Sequence, residues 1–134
     1  MKNIFIVLTF FLALNNQMLF GQVLSKKDFK NIVNNKKTEI SFFVGKNFKL
    51  KYSGPRKEGG LISHFENKRE DELLFLYDDD DGNFQQLNYY LPTKEKYLKL
   101  FSSLKSIGIE STKNGKTFEN GKLYYQLIVS KNEK

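Results

Sequence analysis

The chain reads as an α+β protein: a meandering antiparallel sheet of six to seven strands with two amphipathic helices, in the order αβββββαββ. Three observations lead there. The apolar period changes from 3.6 to 2 at Thr38 and returns to 3.6 after Pro92. Turn dipeptides such as Asp81-Gly82 and Asn120-Gly121 punctuate the period-2 stretches. The links between segments are short throughout, which favours antiparallel neighbours. At 134 residues the chain is long enough for one core and too short for two ordinary domains.

Residues 1–21 are expected to be a signal peptide and residues 22–134 a single domain. Lys2 supplies a positive start, Ile4 to Leu14 an apolar run, and Asn15, Asn16 and Gln17 break it. The run is well short of the roughly 20 residues that span a bilayer. Gly21 is the small residue before the expected cut, and no Cys follows that could carry a lipid. The expected product is exported, periplasmic or secreted, with no transmembrane segment in the mature chain.

The mature part opens with a helix over about residues 26–35. Ser25 and Asp28 form a capping box, Leu24 can staple onto Phe29, and Phe29, Ile32 and Val33 share a face. Alternation of Ile40, Phe42 and Val44 then predicts a first strand. A Gly45-Lys46 turn leads to a second strand through Phe48, Leu50 and Tyr52. Gly54-Pro55 and Gly59-Gly60 bracket a loop, followed by a third strand over Leu61–Glu66. Leu73–Tyr77 is a continuous apolar run, expected as a central strand buried on both faces, and it turns at Asp81-Gly82 into Phe84–Leu91. Thr93 caps a second helix whose apolar stripe is Tyr97, Leu98, Leu100, Phe101, Leu104 and Ile107, with Lys94, Lys96, Lys99 and Lys105 on its wet side and Gly108 as its stop. Strands over Ile109–Lys113 and Leu123–Ser130 close the chain, with turn signals at Asn114-Gly115 and Asn120-Gly121.

Composition excludes several chemistries. There is no Cys, hence no disulfide, thiol nucleophile or thiolate metal site, and His64 is the single histidine, so a multi-histidine zinc centre is out. No phosphate-binding glycine loop, G-x-S-x-G elbow or H-E-x-x-H motif occurs, and no cofactor is expected. The net charge is +7, but only Arg56 and Arg69 among the 22 basic residues are arginine. Surfaces that read bases or clamp phosphates favour the forked guanidinium, so the lysines argue against a specific nucleic-acid partner. The partner expected is a protein or a small ligand.

Three groups of candidate site residues emerge. The central strands are apolar on both faces, and two helices leave one face in question. An exposed aromatic and apolar sheet face would be a binding surface, with Leu74, Leu76, Tyr124 and Ile128 as ligand-binding candidates and the last two solvent-exposed. The other outcomes are a sheet curled around its own core or helices packed on opposite sides. His64 and Glu66 share a strand face, and with Arg69 they form the single plausible general acid–base group. Asp79 and Asp81, within the run Asp78–Asp81, are candidates for at most a loose calcium site, because with Gly82 as sixth loop residue an EF-hand would need Glu where Asn88 stands.

Helix first, antiparallel sheet after, on a small basic Cys-free exported chain, is similar in build to the extracellular ribonucleases of the barnase class. The resemblance implies a secreted hydrolase as the second functional reading. Those enzymes carry a histidine close to the C-terminus, whereas the last strand here (KLYYQLIVSK) has none, so no catalytic residue is carried over. The first reading is a small exported binding or envelope-associated module. In native cells the product is expected to begin at Gln22; intact mass measured on the purified protein checks this, and a product retaining residues 1–21 refutes it.

Overall fold

A computed structural model describes residues 24–131, with backbone alone for residues 112–116 and 118. The signal-peptide expectation for residues 1–21 lies outside the described residues. Among those described, the order is α1 (Lys26–Asn34), α2 (Ile40–Gly45), β1 (Lys49–Pro55), β2 (Leu61–Asn67), β3 (Glu72–Asp78), β4 (Phe84–Leu91), α3 (Lys94–Ser106), β5 (Ser111–Glu119) and β6 (Lys122–Ser130). The fold is α+β with one antiparallel sheet. Its six strands lie in the order β1-β2-β3-β4-β6-β5, so α3 carries the chain over β6 to the far edge.

The α1 capping box forms as its sequence requires: the Asp28 backbone N–H donates to Ser25 Oγ at 3.3 Å and the Ser25 N–H to Asp28 Oδ2 at 2.8 Å. Thr93 caps α3 by accepting from the Lys96 backbone N–H. Gly108 ends α3 at φ +75°, and Asn120 and Gly121, both left-handed, make the two-residue β5–β6 turn.

Two expectations are corrected. The expected first strand through Ile40, Phe42 and Val44 is the helix α2, which makes the order ααββββαββ in place of αβββββαββ. A short apolar run carries either period, and burial decided. In the helix Phe43 is fully buried, 4.8 Å from the Phe65 ring, while Ile40 and Val44, one turn apart, face outward. Gly54-Pro55 and Gly59-Gly60 do bracket a loop, since β1 ends at Pro55, which an edge strand tolerates, and β2 begins at Leu61. Asn114-Gly115, by contrast, is not a turn. It is an irregularity inside β5, where Asn114 opposes Gln126 and Lys116 opposes Tyr125.

Strand register sorts side chains onto two faces. Phe65, Leu74, Tyr89 and Leu127 are successive cross-strand partners, and all four are fully buried. Phe29 and Ile32 of α1, Phe43 of α2, and Tyr97, Leu100 and Leu104 of α3 join them in one core cluster. All three helices therefore lie on the same face, and the sheet neither curls around a private core nor is sandwiched. Phe43→Ala is expected to cost about 3–5 kcal/mol, whereas Val44→Ala should stay within about 0.5 kcal/mol. Denaturant unfolding measures both, and the reverse order would restore a strand at residues 40–44.

Candidate functional site: the helix-free sheet face

The alternate residues of the same strands build the other face. Ile62, His64 and Glu66 of β2 stand opposite Tyr77, Phe75 and Leu73 of β3, which stand opposite Gln86, Asn88 and Tyr90 of β4, followed on β6 by Ser130, Ile128 and Gln126. A sheet covered on one side ordinarily shows polar residues to water on the other. Here that face carries a ladder of rings. His64 stacks on Phe75 at 4.4 Å and 6°, Phe75 meets Tyr90 edge-on at 5.5 Å, and Tyr90 meets Tyr124 at 6.3 Å and 90°. Leu73 joins Tyr90, Tyr124 and Phe75 as a second, small apolar cluster.

Amides and carboxylates frame the ladder. The Gln126 side-chain amide donates to the Tyr90 hydroxyl at 2.8 Å, and that of Gln86 donates to Asn88 Oδ1 at 2.7 Å. The Tyr124 hydroxyl donates to Asp71, which also pairs with Lys122. Burial, then the Asp71 charge, pushes the Tyr124 phenol up to about 12. At the β1 edge the Tyr52 ring lies across Gly54, where a Cβ would collide with its hydroxyl, and remains 54% exposed.

One end of this face is a polar cleft of about 420 Å³ lined by Arg56, Glu58, Tyr77, Gln85 and Gln86. The Arg56 guanidinium stands over the Tyr77 ring at 5.2 Å. The acidic turn builds this end. Asp80 Oδ1 accepts the Gly60 backbone N–H at 2.7 Å and so ties the β1–β2 loop, which carries Arg56, to the β3–β4 turn. Asp79 accepts the backbone N–H groups of Asp81 and Asn83 and the side-chain amides of Asn83 and Gln85. These bonds, led by that from the Asn83 backbone, hold its carboxyl below the usual range. Asp79 is thus engaged within the turn, and Asp81 is exposed. Among the described residues no cluster of three or more potential ligands exists. Asp78 behaves differently, because burial and then the charge of Asp79 push it up to about 6.

The other candidates separate. Leu74 and Leu76, expected beside Tyr124 and Ile128, lie in the core under the helices, since strand alternation sends even-numbered residues of β3 to the covered face. Tyr124 and Ile128 are on the helix-free face, but Ile128 is half-buried and Tyr124 only 4% exposed, packed with Leu73 and Tyr90. His64 and Glu66 share that face as expected. Nε2 of His64 is buried without a hydrogen-bond partner and lies 3.7 Å from Glu66 Oε1, and Glu66 also faces Lys51 at 3.8 Å. Arg69 is exposed in the β2–β3 turn, where only its backbone is engaged, donating to Asn67 Oδ1. The structure does not form an Arg69–His64–Glu66 group.

Sequence reasoning missed the Arg56–Tyr77–Gln86 end, which depends on a loop contact twenty residues away in the chain. It also missed Glu72, whose position two residues before Leu74 already placed a carboxyl on the core face. Glu72 is fully buried, accepts the Tyr89 hydroxyl, and faces Lys96 at 3.6 Å beside Glu70. Burial raises its pKa to about 7 against the lowering by Tyr89 and Lys96. The folded chain therefore holds a proton that the unfolded chain, with its carboxyl near 4.5, releases. This contribution is full below pH 4.5 and is lost as pH rises through 7, amounting to about 3 kcal/mol. Asp78 acts in the same sense. The thermal midpoint is expected to fall by about 10 °C between pH 5 and 8, and Glu72→Gln to remove most of that fall; calorimetry across pH measures both.

Compared with known proteins, the chain matches no protein-family model, no curated protein and no solved structure. The functional reading rests on the geometry of this face.

Proposed function

We propose that this protein is a small exported binding module that holds its ligand on the helix-free face of the sheet. The observation that carries the reading is the ring ladder His64–Phe75–Tyr90–Tyr124, running across four strands on the face that no helix covers. Tyr90 and Tyr124 are buried and brace the ladder, while His64 and Phe75 are half-exposed; rings fixed in this way lose little freedom on binding and offer flat apolar area. The amides of Gln86, Asn88 and Gln126 and the Arg56 guanidinium provide directional donors beside them. Tyr52, flat over Gly54 and exposed, and the cleft beneath Arg56 are the accessible ends of this surface. A compact polar ligand with an apolar face, such as a sugar ring, a nucleoside or an aromatic amino acid, fits those groups.

The second reading, a ribonuclease-like hydrolase, draws on the 3.7 Å approach of His64 Nε2 to Glu66 Oε1. It lacks a third group, since Arg69 stands in a turn. RNA cleavage abolished by His64→Ala would favour it over the binding module.

The reading is tested by NMR titration of the isotope-labelled protein with a panel of mono- and disaccharides, nucleosides and amino acids. Shifts are expected on β1 to β4 around Tyr52, Tyr77 and Gln86, and the best probe should bind at least about fivefold more weakly to Tyr52→Ala/Tyr77→Ala, at unchanged thermal midpoint. Shifts confined to the helices, or binding indifferent to the double variant, would overturn it.

A further inference from the structure

The positive charge of the chain is not spread evenly over its two layers. Residues 24–48 and 93–107, the helices with their links, carry ten basic and three acidic side chains, a net of +7. Residues 49–92 and 108–131, the strands with their connections, carry ten basic and eleven acidic, a net of −1. The basic residues divide equally, so an amino-acid usage rich in lysine accounts for them in both layers. It does not account for the scarcity of carboxylates in the helical one. Of the three acids there, Asp28 is buried and paired with Lys46, which leaves Glu39 and Glu95 exposed.

Lys26, Lys27, Lys30, Lys94, Lys99 and Lys105 are all exposed, and none forms an ion pair with a described residue. Their helices turn Phe29, Ile32, Leu100 and Leu104 toward the sheet, so these ammonium groups are carried on the side away from it. Among them stand apolar side chains that remain partly open to solvent. Leu98 of α3 is 42% exposed although its sequence pattern put it in the stripe, and Ile40 and Val44 sit one turn apart on the outer side of α2. Both arginines, Arg56 and Arg69, lie in strand connections.

We propose that the helical layer docks on a bilayer surface carrying anionic phospholipid headgroups, leaving the ring-bearing sheet face turned to solvent. Charge complementarity drives the approach, since a layer of net positive charge with six exposed lysines outside any ion pair among the described residues meets a surface of negative sign. Lysine suits a headgroup layer because a flexible point charge pairs with phosphates that have no fixed geometry, whereas a base- or phosphate-reading surface would use the arginines that this layer lacks. Leu98, Ile40 and Val44 are placed to enter the boundary between headgroups and acyl chains, where an anionic polymer would leave them in water. The contact is interfacial, as no helix among the described residues is long and apolar enough to cross a membrane. The inference does not depend on the sheet-face ligand.

The test is co-sedimentation of the full chain with phosphatidylcholine vesicles with and without about 30% phosphatidylglycerol. Because Ile4–Leu14 is itself apolar, every substitution is compared in the same full chain. Binding to the anionic vesicles should fall at least about tenfold between about 50 and 300 mM salt. Lys27→Gln/Lys30→Gln/Lys99→Gln/Lys105→Gln should weaken it at least about tenfold, and the charge-matched Lys49→Gln/Lys57→Gln/Lys68→Gln/Lys131→Gln less than about threefold. Leu98→Ser/Val44→Ser should weaken vesicle binding and leave binding to a single-stranded RNA oligomer unchanged. Should the fourfold helical variant unfold, Lys27→Glu/Lys105→Glu serves in its place. Equal losses in both fourfold variants, binding to neutral vesicles as strong as to anionic ones, or displacement from vesicles by RNA at equal phosphate would each overturn the proposal.

Discussion

Everything in this fold is hung on one cross-strand row. Phe65, Leu74, Tyr89 and Leu127 come from four neighbouring strands, stand in register, and are the surface on which the helices land. Phe43 of α2 meets Phe65, and Phe29 of α1 meets Tyr89 at 5.9 Å, as does Phe48 at 6.2 Å. Because side chains alternate along a strand, a slip of one residue in any strand would replace a core member by a residue of the helix-free face. Core and candidate site are thus two readings of a single register, and neither can shift without the other.

The row also brings a polar cost under the helices. Tyr89 is large enough to reach from α1 to the end of β3, but its hydroxyl is then out of water and must have a partner. Glu72 provides it, and Lys96 reaches over from α3 to face the carboxylate. One aromatic position thereby accounts for a buried acid, its displaced titration, and the side of α3 that lies nearest the β2–β3 turn.

Legibility in the sequence followed how local the deciding physics was. Capping at Ser25 and Thr93, the Asn120-Gly121 turn and the limits of β4 depend on residues within a few positions of each other, and all were readable. The segment Ile40–Gly45 was not, since its six residues satisfy both periods until Phe65 is known to wait beneath Phe43. Gly115 likewise carried a turn signal that pairing with β6 absorbed as an irregularity. For the site, parity along β2 placed His64 with Glu66, and the same rule applied along β3 separates Leu74 from Phe75. The tie between Gly60 and Asp80, and with it the Arg56 end of the face, joins segments whose separation no local pattern records.

The two outer strands have a further consequence. β1 ends in Gly54-Pro55 and shifts register between Leu50 and Tyr52, while β5 shifts between Asn114 and Lys116. Each free border therefore presents an interrupted row of backbone donors and acceptors, and Pro55 contributes no donor at all. A foreign strand seeking to lengthen the sheet would find no continuous template on either side. Such borders discourage both fibril growth and recognition by β-augmentation, and leave the broad surfaces as the places where this molecule can meet others.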